Sequence, residues 1–485
     1  MKLRTFLATL TILVVIAGNI QLVSSQASDP ALTPVFKVPI KEDEIKPRSP
    51  GAYIGSTQGL WVWDNAVYCI AVYGNVIVKM DISTKKVSIF YEAETNIANP
   101  ILHGILRSGD LWLIGLDYTP IPGKNEGTHI TLPPGAGAII AVNMTTKRTV
   151  WSFPTKYPPI VFGMRNDLIY FRVYDEGIYA LNVSTRKVRW LYPELPDKTS
   201  STGKMGFYSL LLDQDTVYAT ASRVMVAIDS TTGREKFRVN IENGFLDGLV
   251  VKDNVLYGTM VESGVGGNTY NVSYIAFNLS TKSFTWQTYL SSYQVGTAPI
   301  ITGDSIYVVA LDDRNSEFEP FPQRICALNS SSGKIRWRTG YGDFEPTILL
   351  SEPHVYAVER VDLDRGQQGS RHSFHVINAY NTSDGEKVWS YRLGSTDYPG
   401  SANEYWKYGT AVYDAILYNN TLILSGSEGI YKEDPGLYAP STFYIWGFKS
   451  QSAEPVPELP STSLMLTISL FALIPLLFRK RQVMR

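Results

Sequence analysis

An eleven-residue segment returns again and again along this chain, and that repetition constrains the fold more than any other feature. The copies are AVNMTTKRTVW (Ala141–Trp151), ALNVSTRKVRW (Ala180–Trp190), AIDSTTGREKF (Ala227–Phe237), AFNLSTKSFTW (Ala276–Trp286), ALNSSSGKIRW (Ala327–Trp337) and AYNTSDGEKVW (Ala379–Trp389). A weaker copy, KMDISTKKVSI, covers Lys79–Ile89. The third position is always Asp or Asn: Asp81, Asn143, Asn182, Asp229, Asn278, Asn329 and Asn381. Eight positions later stands an apolar residue, namely Ile89, Trp151, Trp190, Phe237, Trp286, Trp337 and Trp389. A fixed period of this kind marks repeated supersecondary units that bury their apolar faces only against one another.

Each position has a physical role. The apolar residues before Asp/Asn end one strand. The short polar side chain then bonds the backbone two residues on and starts a tight turn. Gly233, Gly333 and Gly385 supply a positive φ where they occur. The Trp of the following strand is large enough to fill the wedge between adjacent sheets. The Ala at the head of the segment is expected to leave room for a neighbouring unit's aromatic.

One full unit shows four strands: Ile160–Met164, Leu168–Tyr174, Ile178–Asn182 and Lys187–Tyr192. Four short antiparallel strands in ~40–50 residues are a propeller blade. The 30 Tyr, 10 Trp and 38 Gly suit strands between frequent turns. No long stretch outside the termini has helical apolar periodicity, so the body reads as all-β.

The motif resembles the PQQ-like repeat of quinoprotein dehydrogenases and of non-catalytic BamB-type relatives. The resemblance implies a β-propeller and does not choose between catalysis and binding. After Trp389 three further strands follow, Ala411–Leu417, Thr421–Gly426 and Thr442–Phe448, with no outer strand behind them. Pro34–Ile40 is an orphan strand at the other end. Pairing it with Tyr444–Phe448 closes a ring of eight blades and removes an exposed edge. Seven blades is the alternative.

The ends carry their own signals. Lys2 and Arg4, an apolar run over Phe6–Ile20 and small residues at Val23-Ser24-Ser25 read as a secretory signal peptide over 1–25, cut after Ser25 or Ala27. The propeller is expected over 26–452 and a Pro-rich linker over 453–463. An apolar membrane or sorting segment over 464–478 and a basic cytoplasmic tail over 479–485 follow. This tail is similar to the C-terminal sorting signals of archaeal surface proteins, in which the segment is cut and replaced by a lipid anchor. A permanent single-pass anchor is the other reading. Both place the body outside the cell.

For function, the net charge of −1 offers no reason to expect a nucleic-acid partner. His103, His129, His354, His372 and His375 form no metal motif. His372 and His375, three apart near the start of a strand, are expected on opposite faces. The sequence contains no HExxH, GxSxG, P-loop or EF-hand loop. No catalytic, metal-binding or cofactor residue is assigned. The resemblance keeps one enzymatic alternative open, an outward-facing PQQ/Ca²⁺-dependent dehydrogenase of alcohols or sugars. The leading expectation is a surface binding or scaffolding module for a protein, glycan or envelope component.

Seven N-x-[ST] sequons occur, at Asn143, Asn182, Asn271, Asn278, Asn329, Asn381 and Asn419. Five coincide with the repeat's turn, which wants Asn-x-Ser/Thr in any case. Glycosylation and turn chemistry both account for them. Candidate binding loops are Asp117–Gly137, Asp362–Ser373, Ser395–Tyr408 and Glu428–Ser441. Cys69 and Cys326 fall in the first and sixth blades, so two separate buried thiols are expected.

Overall fold

The computed structural model describes residues 32–40, 58–71, 76–92, 100–118, 137–196, 204–241, 244–263, 270–291, 299–311, 323–362, 372–394, 406–432 and 442–450. Among them every regular element is a strand. Blades 1 to 6 each comprise four antiparallel strands, here lettered A to D from the inside outward. Blade 3 is Pro159–Arg165, Leu168–Val173, Gly177–Asn182 and Val188–Pro193, within a residue or two of the sequence reading. Blades 7 and 8 are joined by a short parallel contact at His372–Tyr408 and Ser373–Gly409. A small extra hairpin, Leu195–Pro196 with Lys204–Met205, lies between blades 3 and 4.

Blade 8 confirms the ring closure. Its first three strands are Trp406–Tyr418, Thr421–Lys432 and Thr442–Ser450, and its outer strand is the early segment Leu32–Ile40. Leu32 pairs with Ser450 and Ile40 with Phe443, antiparallel. Val38 and Ile40 enter a core with Val67, Cys69 and Val78 of blade 1, while Lys37 pairs with Glu428 and lies 4.3 Å from the Tyr444 ring centre. Asp414, on blade 8's inner strand, accepts the Leu60 N–H of blade 1 at 2.7 Å. Burial holds its carboxyl above the ordinary carboxylate range.

The core sits between blades, apart from a small cluster of Val261 and Val272 inside blade 5. Eight clusters link successive blades around the ring, from Tyr68 and Trp112 at the 1–2 junction to Ile423 and Val67 at the 8–1 junction. Eight blades are thus closed by eight interfaces.

The repeat's turn works as its chemistry requires. The Asp81 carboxylate accepts N–H bonds from Ser83 at 3.0 Å and Thr84 at 2.8 Å, and these hold it below its usual range. Asn143 and Asn278 accept the equivalent pairs from Thr145 and Thr146, and from Ser280 and Thr281. The bond thus reaches three residues on as well as two. Gly233, Gly333 and Gly385 take φ of +72°, +68° and +75°. Lys85, Lys147, Arg186 and Lys282 occupy the same place with φ of 55–60° and without glycine's freedom. A side chain there costs about 1 kcal/mol. Arg186→Gly is therefore expected to raise stability only slightly, by up to roughly 0.5 kcal/mol after glycine's own entropic cost; urea unfolding checks it.

The Trp residues do more than fill space. The indole N–H of Trp190 donates to Ser230 O at 2.8 Å, that of Trp286 to Ser330 O at 3.0 Å, and that of Trp337 to Thr382 O at 2.9 Å. Each acceptor follows the Asp/Asn of the next blade's turn. A Cβ at Gly233, Gly333 or Gly385 would come within 2.4–2.6 Å of that same Trp. One copy's Trp therefore docks on the next copy's Gly. Where the next copy has Lys, the preceding aromatic is Phe and the ammonium lies over its ring: Lys282 over Phe237 at 5.4 Å, Lys147 over Phe90 at 5.6 Å.

The head-position Ala stands directly opposite its own blade's aromatic, Ala180 against Trp190 and Ala327 against Trp337. It also shares the interface core with the next blade's aromatics, Ala180 with Phe207 and Ala327 with Phe344 and Tyr380. One expectation needs correction. In the first copy, Ile89 faces back toward blade 8, because the bulge falls at Phe90 rather than at the residue before the repeat's aromatic position. Phe90 takes the role instead, 4.5 Å from Trp112 between ring centres, with Tyr68 and Trp63 completing the wedge.

Cys69 and Cys326 are both buried thiols in different interfaces, as their blade positions imply. Burial pushes the Cys69 thiol up to about 12. Thiol titration without reductant is expected to find no accessible thiol in the native protein and two after denaturation.

Candidate functional site

Strand alternation gives the ring two unlike ends. Every A strand is joined to its B strand across two residues, as at Asp64–Asn65, Asn166–Asp167 and Asn419–Asn420. Every C–D link within blades 1 to 7 is the short repeat turn. These links share one end, the turn face. The B–C and D–A links share the other, the loop face. There the span between strand ends is long in blade 2 (Tyr118 to Gly137), blade 6 (Leu311 to Gln323), blade 7 (Asp362 to His372) and blade 8 (Lys432 to Thr442). It is short in blade 3 (Val173 to Gly177) and blade 4 (Ala221 to Val224).

All four candidate binding loops run between strand ends on the loop face, which the sequence reading left open. Most of their residues, 119–136, 363–371, 395–405 and 433–441, lie outside the described residues. His129 also lies outside them, and only the backbones of His103 and His372 are described. His375 is buried, with its ring Nδ1 3.2 Å from the Thr410 hydroxyl, and His354 is half-buried. Burial holds His354 below its ordinary range. Among the described residues no three His, Cys, Asp or Glu side chains are grouped to hold a metal.

The low sector of the loop face, at blade 3, carries a patch that sequence reasoning did not single out. Tyr174 is 53% exposed and Ile160 51%. Tyr157 stands edge-on to Tyr174 with ring centres 5.7 Å apart. Lys156 lies 4.9 Å from the Tyr157 ring centre and 3.5 Å from the Asp175 carboxylate. Beneath it, Arg172 meets the buried Glu194 at 3.7 Å, and Glu194 accepts the Asp175 N–H at 3.1 Å. Tyr179 donates to Glu176 at 3.1 Å; burial, with the Glu176 charge second, pushes its phenol up to about 12. Exposed aromatics with fixed charges around them suit contact with a protein or a sugar ring.

The sequons divide unevenly between the faces. Asn143, Asn182, Asn278, Asn329 and Asn381 are half-buried in repeat turns, and Asn419 is exposed in blade 8's A–B turn, so six occupy the turn face. Asn182 also donates its amide to Asp167 at 2.9 Å. Asn271 is exposed at the loop-face end of blade 5's C strand. Of the repeat's aromatics, Trp151, Trp190 and Trp337 are buried and Phe237, Trp286 and Trp389 half-buried. These aromatics lie in or against the cores between blades, and Asp81 and Asp229 hold repeat turns.

These features define an eight-bladed β-propeller with a bare turn face and a loop-bearing face. Residues 109–243 match the sequence profile of the family described as outer membrane protein assembly factor BamB, which supports a PQQ-like propeller. Among solved structures, BamB from Moraxella catarrhalis superposes with a TM-score of 0.50 at 14% identity, over 86% of this chain and 99% of that one. The C-terminal WD40 domain of Sif2 gives 0.52 at 10% identity, over 86% and 98%. At these identities the likeness shows the fold alone. A europium-containing methanol dehydrogenase reaches 0.42 at 11% identity, over 83% and 93%, too low to bear on chemistry. No protein of curated function matches the sequence.

Proposed function

We propose that this chain is an exported, membrane-tethered propeller that binds or scaffolds a protein or glycan at its loop face. The observation that carries the reading is the asymmetry of the two ends. Long connections gather on one face, and the low sector among them exposes Ile160 and Tyr174, with the half-buried Tyr157 edge-on to Tyr174. Connections of varied length on a rigid scaffold are where recognition concentrates. Export and tethering rest on the apolar segments and basic residues at the two chain ends. Of the seven sequons, this reading assigns a glycan to Asn271.

A photo-crosslinker at Tyr174, with one at Thr185 on the turn face as control, tests it in the native envelope. The expected result is discrete protein or glycan adducts from position 174 and none of that kind from 185. Adducts from 185 alone contradict the reading. Incubation with PQQ and Ca²⁺ is expected to give no dye reduction with alcohols or sugars; turnover would replace binding with dehydrogenase chemistry.

A further inference from the structure

We propose that the turn face is a docking surface for an anionic lipid bilayer, so that the propeller sits with its turns on the headgroups and its loop face outward. The inference rests on the C-terminal anchor of the function proposed above and adds where the body sits on the membrane. Two independent observations carry it.

The first is where the chain leaves the ring. Blade 8's C strand runs from the loop face to the turn face and ends at Ser450, paired with Leu32. Both strand ends therefore emerge on the turn face. The apolar run begins at Leu464, within about 50 Å of Ser450 even with the chain fully extended. The tether is rooted on the turn face, so that face meets the membrane without the chain having to pass around the ring, and charge decides between the two faces.

The second is charge. The repeat turns place a cation at the outer rim of the turn face in each of blades 1 to 6. Lys86, Arg148, Arg186, Lys187, Arg234, Lys282 and Lys334 are exposed, and among the described residues none has a carboxylate within ion-pair distance. Acids of the turn face lie in the A–B turns and, as Asp81, Asp229 and Asp384, in the repeat turns of blades 1, 4 and 7, and several of those in the A–B turns are already matched. Asp64 pairs with Arg107 at 2.8 Å, Asp215 with Lys236 at 2.9 Å, and Asp304 with Arg336. A cationic rim of this kind is complementary to anionic headgroups. Contact of this kind leaves no space for glycans on the turn-face sequons.

The test uses the full chain in vesicles of phosphatidylglycerol and phosphatidylcholine. The native cysteines are buried, so single thiols at Thr185→Cys (turn face) and Tyr174→Cys (loop face) can be labelled specifically. Both lie in blade 3, whose six-residue strand Gly177–Asn182 separates the faces by about 20 Å. Energy transfer to a headgroup-bound acceptor is expected to be severalfold higher from 185 than from 174. The difference should shrink in 1 M salt, where the screening length falls from about 10 to about 3 Å. It should also shrink in Arg148→Glu/Lys187→Glu/Lys334→Glu. Equal transfer from the two positions, stronger transfer from 174, or indifference to salt and charge reversal overturns the orientation while leaving the anchor intact. Failure of the chain to float with vesicles removes the anchor itself, and this proposal with it. A glycan on Asn143, Asn182, Asn278, Asn329 or Asn381 of the native protein also contradicts it.

Discussion

Trp337→Ala is expected to lower the stability of the propeller by about 3–5 kcal/mol, the range for removing a buried indole. The side chain fills the wedge between blades 6 and 7 with Tyr307, Phe344 and Tyr380, and its N–H satisfies Thr382 O. The partner position is expected to be sensitive for a different reason. Gly385 has a φ of +75°, and a Cβ there would lie 2.4 Å from the Trp337 ring. Gly385→Ala combines a left-handed backbone with overpacking and should cost about 2–4 kcal/mol. Because removing the indole removes the clash, the double variant should lose less than the sum, by about 1–2 kcal/mol. Urea unfolding of the four proteins gives the cycle. Strict additivity would mean that the two residues do not share an interface.

The second large effect concerns closure. Deleting residues 31–41 removes the outer strand of blade 8. Val38 and Ile40 then leave the blade 8–1 core together with the half-buried Phe36. At about 1.5–3 kcal/mol for each large apolar side chain, the loss is roughly 5 kcal/mol before the ladder bonds are counted. That is comparable to the whole stability of many domains. The deletion also bares Thr442–Ser450 as an edge open to association. The truncated chain is expected to melt well below the intact one and to aggregate. Melting at the same temperature would mean that Leu32–Ile40 is dispensable.

Much of this fold was legible because the turn chemistry repeats. Asp81, Asn143 and their equivalents do the same backbone work in each blade, so strand ends could be placed from them within a residue or two. The orphan strand was legible for a complementary reason: blade 8 lacks an outer strand and only Pro34–Ile40 could supply one. The partner of each Trp was not seen, although the signal was present. Trp190, Trp286 and Trp337 each precede a copy with Gly at its seventh position, while Phe237 precedes one with Lys282. Reading each copy by itself hides a contact that spans two. Trp151, followed by Arg186, departs from the pairing, which weakens it as a rule. The first copy was misread at Ile89 because a bulge shifted by one residue swaps the faces, and nothing local announces it.

The candidate docking patch was illegible for a different reason. Tyr157, Ile160 and Tyr174 come from two connections and a strand, with no periodicity to join them; only the short B–C link of blade 3 brings them together at the surface. The unlike faces, by contrast, follow from the parity of strand alternation once four strands per blade are granted. That same parity places the start of Leu32–Ile40 beside the end of Thr442–Ser450, on the turn face.

One cross-link tests that placement, on which the ring, the two faces and the exit of the tether all depend. Thr33 is the cross-strand partner of Lys449, and such partners have Cα atoms about 4.5–5.5 Å apart, within disulfide range. Thr33→Cys/Lys449→Cys is expected to oxidise to an intramolecular disulfide in the monomer, identified by peptide mapping, with the native melting transition kept. Thiols that stay reduced under oxidant, or that pair only between molecules, would contradict the closed eight-bladed ring.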